Sequence, residues 1–150
     1  MGDNSIKALA DALNGLLADY FALYLKTKNF HWHVSGPHFH EYHLLFDAQA
    51  TELIATTDLV AERVRKLGQP TLTSIGSIAA RQNVKDSDDR LEASKMLEQL
   101  RDDNRALVKV LRSAKELASE AGDNATDGLI DDWTDQAEQR AWFLDATLGK

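Results

Sequence analysis

Apolar residues recur at steps of three and four along most of this chain, and no useful stretch alternates with period two. Such spacing builds amphipathic helices, because 3.6 residues per turn bring every third or fourth side chain back to one face. The expected fold is therefore all-α. The first series, Ile6, Leu9, Leu13, Leu16, Leu17, Tyr20, Phe21 and Tyr24, predicts a helix to about His31 or His33, capped by Asp3, Asn4 or Ser5. Ser35-Gly36-Pro37 breaks the chain, and Pro37 suits the first turn of a second helix. That helix carries Phe39, Tyr42, Phe46, Leu53, Val60, Val64 and Leu67, and Gly68 and Pro70 stop it.

Leu72, Ile75 and Ile78 predict a short helix within residues 71–80, and a polar stretch follows over 83–89. A third helix holds Leu91, Met96, Leu97, Leu100, Leu107, Leu111, Ala114 and Leu117 and ends at Gly122. The fourth holds Leu129, Ile130, Trp133, Ala137, Ala141, Leu144 and Leu148, with Asn124 or Thr126 as cap. Only 2 prolines in 150 residues leave such helices uninterrupted. Four long helices, with a roughly 20-residue connection between the second and third, predict a ferritin-like four-helix bundle with a short extra helix in the crossover. The length suits one domain over residues 1–150.

The chain has no cysteine, which excludes a disulfide framework, a thiolate metal site and a cysteine nucleophile. A net charge of −7 disfavours a simple nucleic-acid binder and favours cationic partners. No apolar run reaches the ~18 residues of a membrane span. The first residues, Met1-Gly2-Asp3-Asn4-Ser5, lack the basic and apolar blocks of a secretory signal, so a cytoplasmic location is expected.

All 5 histidines lie between His31 and His43. Clustered imidazoles are candidate metal ligands, although a surface or interface cluster is the plainer reading. The second helix adds Asp47, Asp58 and Glu62. At about 100° per residue, His43, Asp47, Asp58 and Glu62 fall on one flank, roughly 60–160° from the apolar stripe. They therefore point away from their own bundle core. No Glu-x-x-His occurs, and no histidine follows His43, so an intrachain di-iron centre of the ferritin type is not expected.

Distance adds a constraint. His43 and Asp58 are about 22 Å apart along a helix at 1.5 Å per residue, whereas metal–ligand bonds span about 2 Å. Within one straight helix these residues cannot meet on one ion; between two chains they can. Packing the second helix antiparallel against its copy, with an axis near Thr51, sets His43 opposite the other chain's Asp58 and Glu62. A two-fold interface would then form two equal sites, and His31 could join His43 from the same chain. Two imidazoles and two carboxylates suit Fe(II), Zn(II), Mn(II) or Co(II).

Lys28-Asn29-Phe30-His31-Trp32-His33-Val34-Ser35-Gly36-Pro37-His38-Phe39, then His43, Phe46 and Asp47, then Asp58-Leu59-Val60-Ala61-Glu62-Arg63 and Leu67-Gly68, form a highly specific combination. It resembles the Dps family, the dodecameric mini-ferritins named for DNA protection during starvation, and the helical layout extends the likeness over essentially the whole chain. The resemblance implies a ferroxidase centre between two-fold-related subunits, with His31, His43, Asp58 and Glu62 as ligands and catalytic residues and Asp47 as a nearby carboxylate for a second iron or its water. It implies iron, Fe(II) going to Fe(III), oxidised preferably by hydrogen peroxide and stored in a hollow shell of twelve chains. It also implies acidic three-fold pores near the start of the fourth helix, where Asp123, Asp127 and Asp131 stand; helix capping and a solvated first turn are the plainer reading of those three.

DNA-binding members typically carry a basic tail. Here the first basic residue is Lys7 and only Gly149-Lys150 follow the last helix, so direct DNA binding is not expected at neutral pH. The resemblance offers Trp32 as a radical trap beside His31, against a packing role; His33, His38 and His40 are further candidates for metal contact, read first as surface or pore-lining residues. Arg63 or Arg65 of a partner could instead pair with Asp58 and Glu62. Two alternatives differ in kind. One is a non-catalytic DNA-compacting or metal-binding shell, marked by salt-dependent DNA retardation. The other is a structural dimer that takes up no iron.

Overall fold

The computed structural model describes residues 2–150 as five helices. They are α1 (Asp3–His33), α2 (Phe39–Lys66), α3 (Ile75–Arg81), α4 (Ala93–Glu120) and α5 (Asn124–Thr147). No strand occurs among the described residues. Short connections make α1–α2 and α4–α5 into hairpins, and α1 packs on α4 to join them. The expected bundle, with α3 inside the long crossover, is what the chain forms.

Each series of threes and fours buries one face. Leu9, Leu13, Leu16, Tyr20, Leu23 and Phe30 of α1 meet Phe46, Leu53, Val60 and Val64 of α2, and Leu97, Leu100, Leu107 and Leu111 of α4 meet Ile130, Trp133, Ala137 and Leu144 of α5. Fully burying a large apolar side chain is worth about 1.5–3 kcal/mol, so this core is the main favourable contribution opposing the ordering cost of long helices. Gly68 (φ 79°) and Gly122 (φ 66°) end α2 and α4 in the left-handed region. The next residues close the turns: Gln69 N–H donates to Val64 O (3.2 Å) and Asp123 N–H to Ala118 O (2.9 Å).

Three expectations at helix starts are corrected. Asp3, Asn4 and Ser5 lie inside α1, which begins after Gly2 without a side-chain cap. Pro37 sits in the turn before α2 rather than in its first turn, since Phe39 N–H already donates to Gly36 O (3.1 Å). Asp123 caps α5 by accepting from Thr126 N–H (3.2 Å), so neither Asn124 nor Thr126 is the cap. In each case neighbouring residues of suitable type compete, and backbone direction decides among them.

The crossover is laced along α1. Asn14 donates to Pro70 O (3.0 Å) and accepts from Leu72 N–H (3.1 Å); Arg81 reaches Asp11 O (2.9 Å); Asn29 donates to Ser87 O (2.9 Å). The buried Asp19 carboxylate accepts from Asn83 N–H (2.6 Å), Val84 N–H (3.1 Å) and Asn83 Nδ2 (3.2 Å). These bonds satisfy backbone groups that an irregular segment would otherwise leave unpaired.

Candidate metal centre

The α1–α2 hairpin brings His31 and His43 face to face, with ring centroids 3.8 Å apart and planes 15° from parallel. Phe39 stacks on the other side of His43 at 5.1 Å. The two histidines exchange hydrogen bonds: His31 Nδ1 lies 2.7 Å from His43 O, and His43 Nδ1 lies 2.8 Å from His31 O. A carbonyl only accepts, so each Nδ1 carries the proton and donates. When neutral, each ring then keeps a lone pair on Nε2, the arrangement a metal-binding histidine needs.

Asp47 completes this corner, with Oδ1 3.8 Å from His31 Nε2. Lys28 Nζ holds the same oxygen at 2.8 Å. That hydrogen bond is the main reason the Asp47 carboxyl titrates below its ordinary range. Lys28 is a residue that the sequence reading missed. Its position three before His31 places it on the same helical face and was the available signal.

Asp58 and Glu62 lie two to three turns beyond Thr51 on α2, exposed to solvent. Within one chain they do not join the histidines, and among the described residues no three His, Asp or Glu side chains of the chain converge closely enough to hold an ion. Around the α2 axis they share the outward face with exposed Leu44, Ala48, Thr51, Ala55 and Leu59. Leu44 and Leu59 are 52% and 49% exposed on that face. Arg63 turns away from both carboxylates: its Nε donates to Thr126 Oγ1 (2.8 Å) and its Nη2 to Asp123 (3.3 Å). Arg65 donates to Gln69 O (2.9 Å).

Residues 10–150 match the family described as ferritin-like domain. The DNA protection during starvation protein of Brevibacillus brevis is 32% identical over 140 residues, covering 93% of this chain and 94% of that one. The chain belongs to the Dps family of ferritin-like proteins. The crystal structure of a Dps protein from Bacillus brevis superposes with TM-score 0.95 at 31% identity over 99% of both chains. Dps from Vibrio cholerae, described as a member of a broad superfamily of ferritin-like diiron-carboxylate proteins, matches with TM-score 0.93 at 31% identity, over 99% of this chain and 93% of that one.

In this Dps-family chain the three acids near α5 have partners of their own. Asp123 is half cap, half ion pair. Burial pushes its carboxyl up, but bonds from Thr126 O–H and N–H and the Arg63 guanidinium outweigh burial and leave it below its usual range. Asp127 and Asp131, one turn apart, both grip Lys115 of α4, the latter at 2.6 Å. The remaining histidines stand apart: His33 Nδ1 lies 2.8 Å from Asn29 O, and His38 packs beside Tyr42. Trp32 is 57% exposed next to His31, whereas Trp133 is in the core. No helix is long and apolar enough to cross a membrane among the described residues.

Proposed function

We propose that this chain is a cytoplasmic mini-ferritin subunit that binds Fe(II) between two-fold-related copies, oxidises it with hydrogen peroxide and stores the ferric product in a twelve-chain shell. The observation that carries the reading is the split site: two imidazoles with free Nε2 atoms at one end of α2's outer side, and two exposed carboxylates at the other. Small residues at the middle of the stripe, Ala48, Thr51 and Ala55, allow a second α2 to approach closely. Antiparallel packing about Thr51 then sets His31 and His43 of one chain against Asp58 and Glu62 of its neighbour.

The chemistry follows from those donors. Imidazole nitrogens hold Fe(II), and carboxylates favour the Fe(III) that forms because they neutralise the added charge. Two Fe(II) each give up one electron; peroxide accepts both, its O–O bond breaks, and its oxygens leave as water or hydroxide. Pairing the electrons this way avoids a free hydroxyl radical. Asp47 is the candidate ligand for a second iron, in competition with Lys28. Asp127 and Asp131 are candidate pore residues, with Asp123 behind them as cap, and the −7 charge of each chain attracts Fe(II). The acidic surface disfavours contact with DNA phosphates.

Two variants test the split. His31→Ala/His43→Ala and Asp58→Asn/Glu62→Gln shells should each lose peroxide-driven Fe(II) oxidation while keeping the oligomer mass. Shells refolded from a mixture should regain activity, because a mixed pair rebuilds one complete site from the intact histidines of one chain and the intact carboxylates of the other. Mixed shells as inactive as their parents would overturn the cross-chain reading.

A further inference from the structure

The centre of the bundle holds a positive charge. Arg140 of α5 is 2% exposed, and its carboxylate partner, Glu52, reaches it from a partly exposed position. Its Nη1 donates to Glu52 Oε1 of α2 at 2.5 Å, and its Nε to Asn104 Oδ1 of α4 at 2.7 Å. Gln49 of α2 donates to its carbonyl at 3.2 Å. From α1 comes Tyr20, fully buried; burial pushes its phenol up to about 12, against the pull of the adjacent guanidinium. Arg140 Nη2 and the Tyr20 hydroxyl are both buried, and neither finds a well-aligned hydrogen-bond partner among the described residues. The four long helices thus send polar side chains toward one interior region, α2 supplying both Glu52 and Gln49.

A buried ion pair often gains nothing over apolar packing of the same volume, so stability alone is a weak account of its presence. The interior of a ferritin-like bundle is where inward carboxylates and Glu-x-x-His pairs gather metal ions. Here Glu-x-x-His is missing, but oxygen donors remain: the Glu52 carboxylate, the Asn104 amide oxygen and the Tyr20 hydroxyl. Such a set suits a hard cation. The guanidinium already sits among them.

We propose that Arg140 is a resident cation that bars metal ions from the bundle interior and so confines Fe(II) to the subunit junction. Glu52 and Asn104 orient it, and its fixed charge repels any ion approaching Glu52 from the half-exposed side. The inference makes Arg140 a specificity-determining residue, and it rests on the junction being the productive site.

The test uses Mn(II), a hard divalent ion that is not oxidised under the assay, in full-length shells carrying Asp58→Asn/Glu62→Gln so that the junction is disabled. With Arg140 present, the interior should take up no Mn(II) detectable by electron paramagnetic resonance. Adding Arg140→Ala should raise Mn(II) affinity at least about tenfold, and adding Glu52→Gln as well should abolish the gain. Added guanidinium ion at low millimolar concentration should compete with Mn(II) for the vacated place. Should Arg140→Ala not fold alone, refolding with Mn(II) or guanidinium ion should recover it, whereas urea should not. A folded Arg140→Ala shell without Mn(II) uptake, or an unfolded one that no cation rescues, would overturn the proposal. Failure of the junction reading shows elsewhere, as undiminished iron oxidation in Asp58→Asn/Glu62→Gln shells that retain Arg140.

Discussion

Single side chains in this protein are held by bonds whose removal has a definite sign. Lys28 clamps Asp47, the carboxylate nearest His31 Nε2. In Lys28→Met the Asp47 carboxyl should rise toward the ordinary value of about 3.9, read by carbon NMR titration, and the freed oxygen should strengthen binding of a second Fe(II). A lowered folded pKa contributes stability that is complete above the ordinary carboxylate range and is lost as pH falls through the folded value. Asp47 and Asp123 both carry lowered values, so the hairpin corner and the α5 start should loosen together in strong acid, with Asp47 protonation also cutting metal affinity. Titration of chain stability between pH 5 and about 2 checks the direction.

At the scale of elements, the ends are more fragile than the middles. Asp123→Ala removes the α5 cap, worth about 1 kcal/mol, and leaves Arg63 without its carboxylate. The unfolding midpoint should fall by several degrees, at about 2–4 °C per kcal/mol for a chain of this size. Asp19→Ala strips three donors of their acceptor, at about 1–3 kcal/mol for each left buried, and amide exchange at Asn83 and Val84 should accelerate before the helices do. The helices themselves were legible, because the spacing of Leu9 to Leu23 or Leu97 to Leu111 admits only one period, and Gly68 and Gly122 end their helices where expected. The caps were not, since Asp123, Asn124 and Thr126 are all competent and only the turn geometry selects among them. Arg140 was also missed. A charge reads as solvent-facing, although Trp133, Ala137, Arg140 and Leu144 keep helical spacing on one buried face.

For the whole molecule, the proposed two-fold contact makes the outward side of α2 the surface to test. The outward direction of His43, Asp58 and Glu62 could be read from their angle to Phe46 and Val64, but the exchanged imidazole bonds depend on how two helices meet, which no linear pattern encodes. Thr51→Arg places a long charged side chain at the middle of the Leu44–Leu59 stripe. It should leave the helical content of the chain unchanged, split the proposed shell into smaller species by mass, and reduce Fe(II) oxidation at least tenfold although every proposed ligand is intact. An unchanged mass and rate would remove α2 from the interface. The His31–His43 bond exchange carries one more consequence. With both rings held by each other's carbonyls, an arriving ion would wait for neither imidazole to rearrange. Capture should then keep pace with how readily the ion sheds its own hydration water, and sluggishly dehydrating Ni(II) should load far behind Fe(II) or Mn(II) at equal concentration.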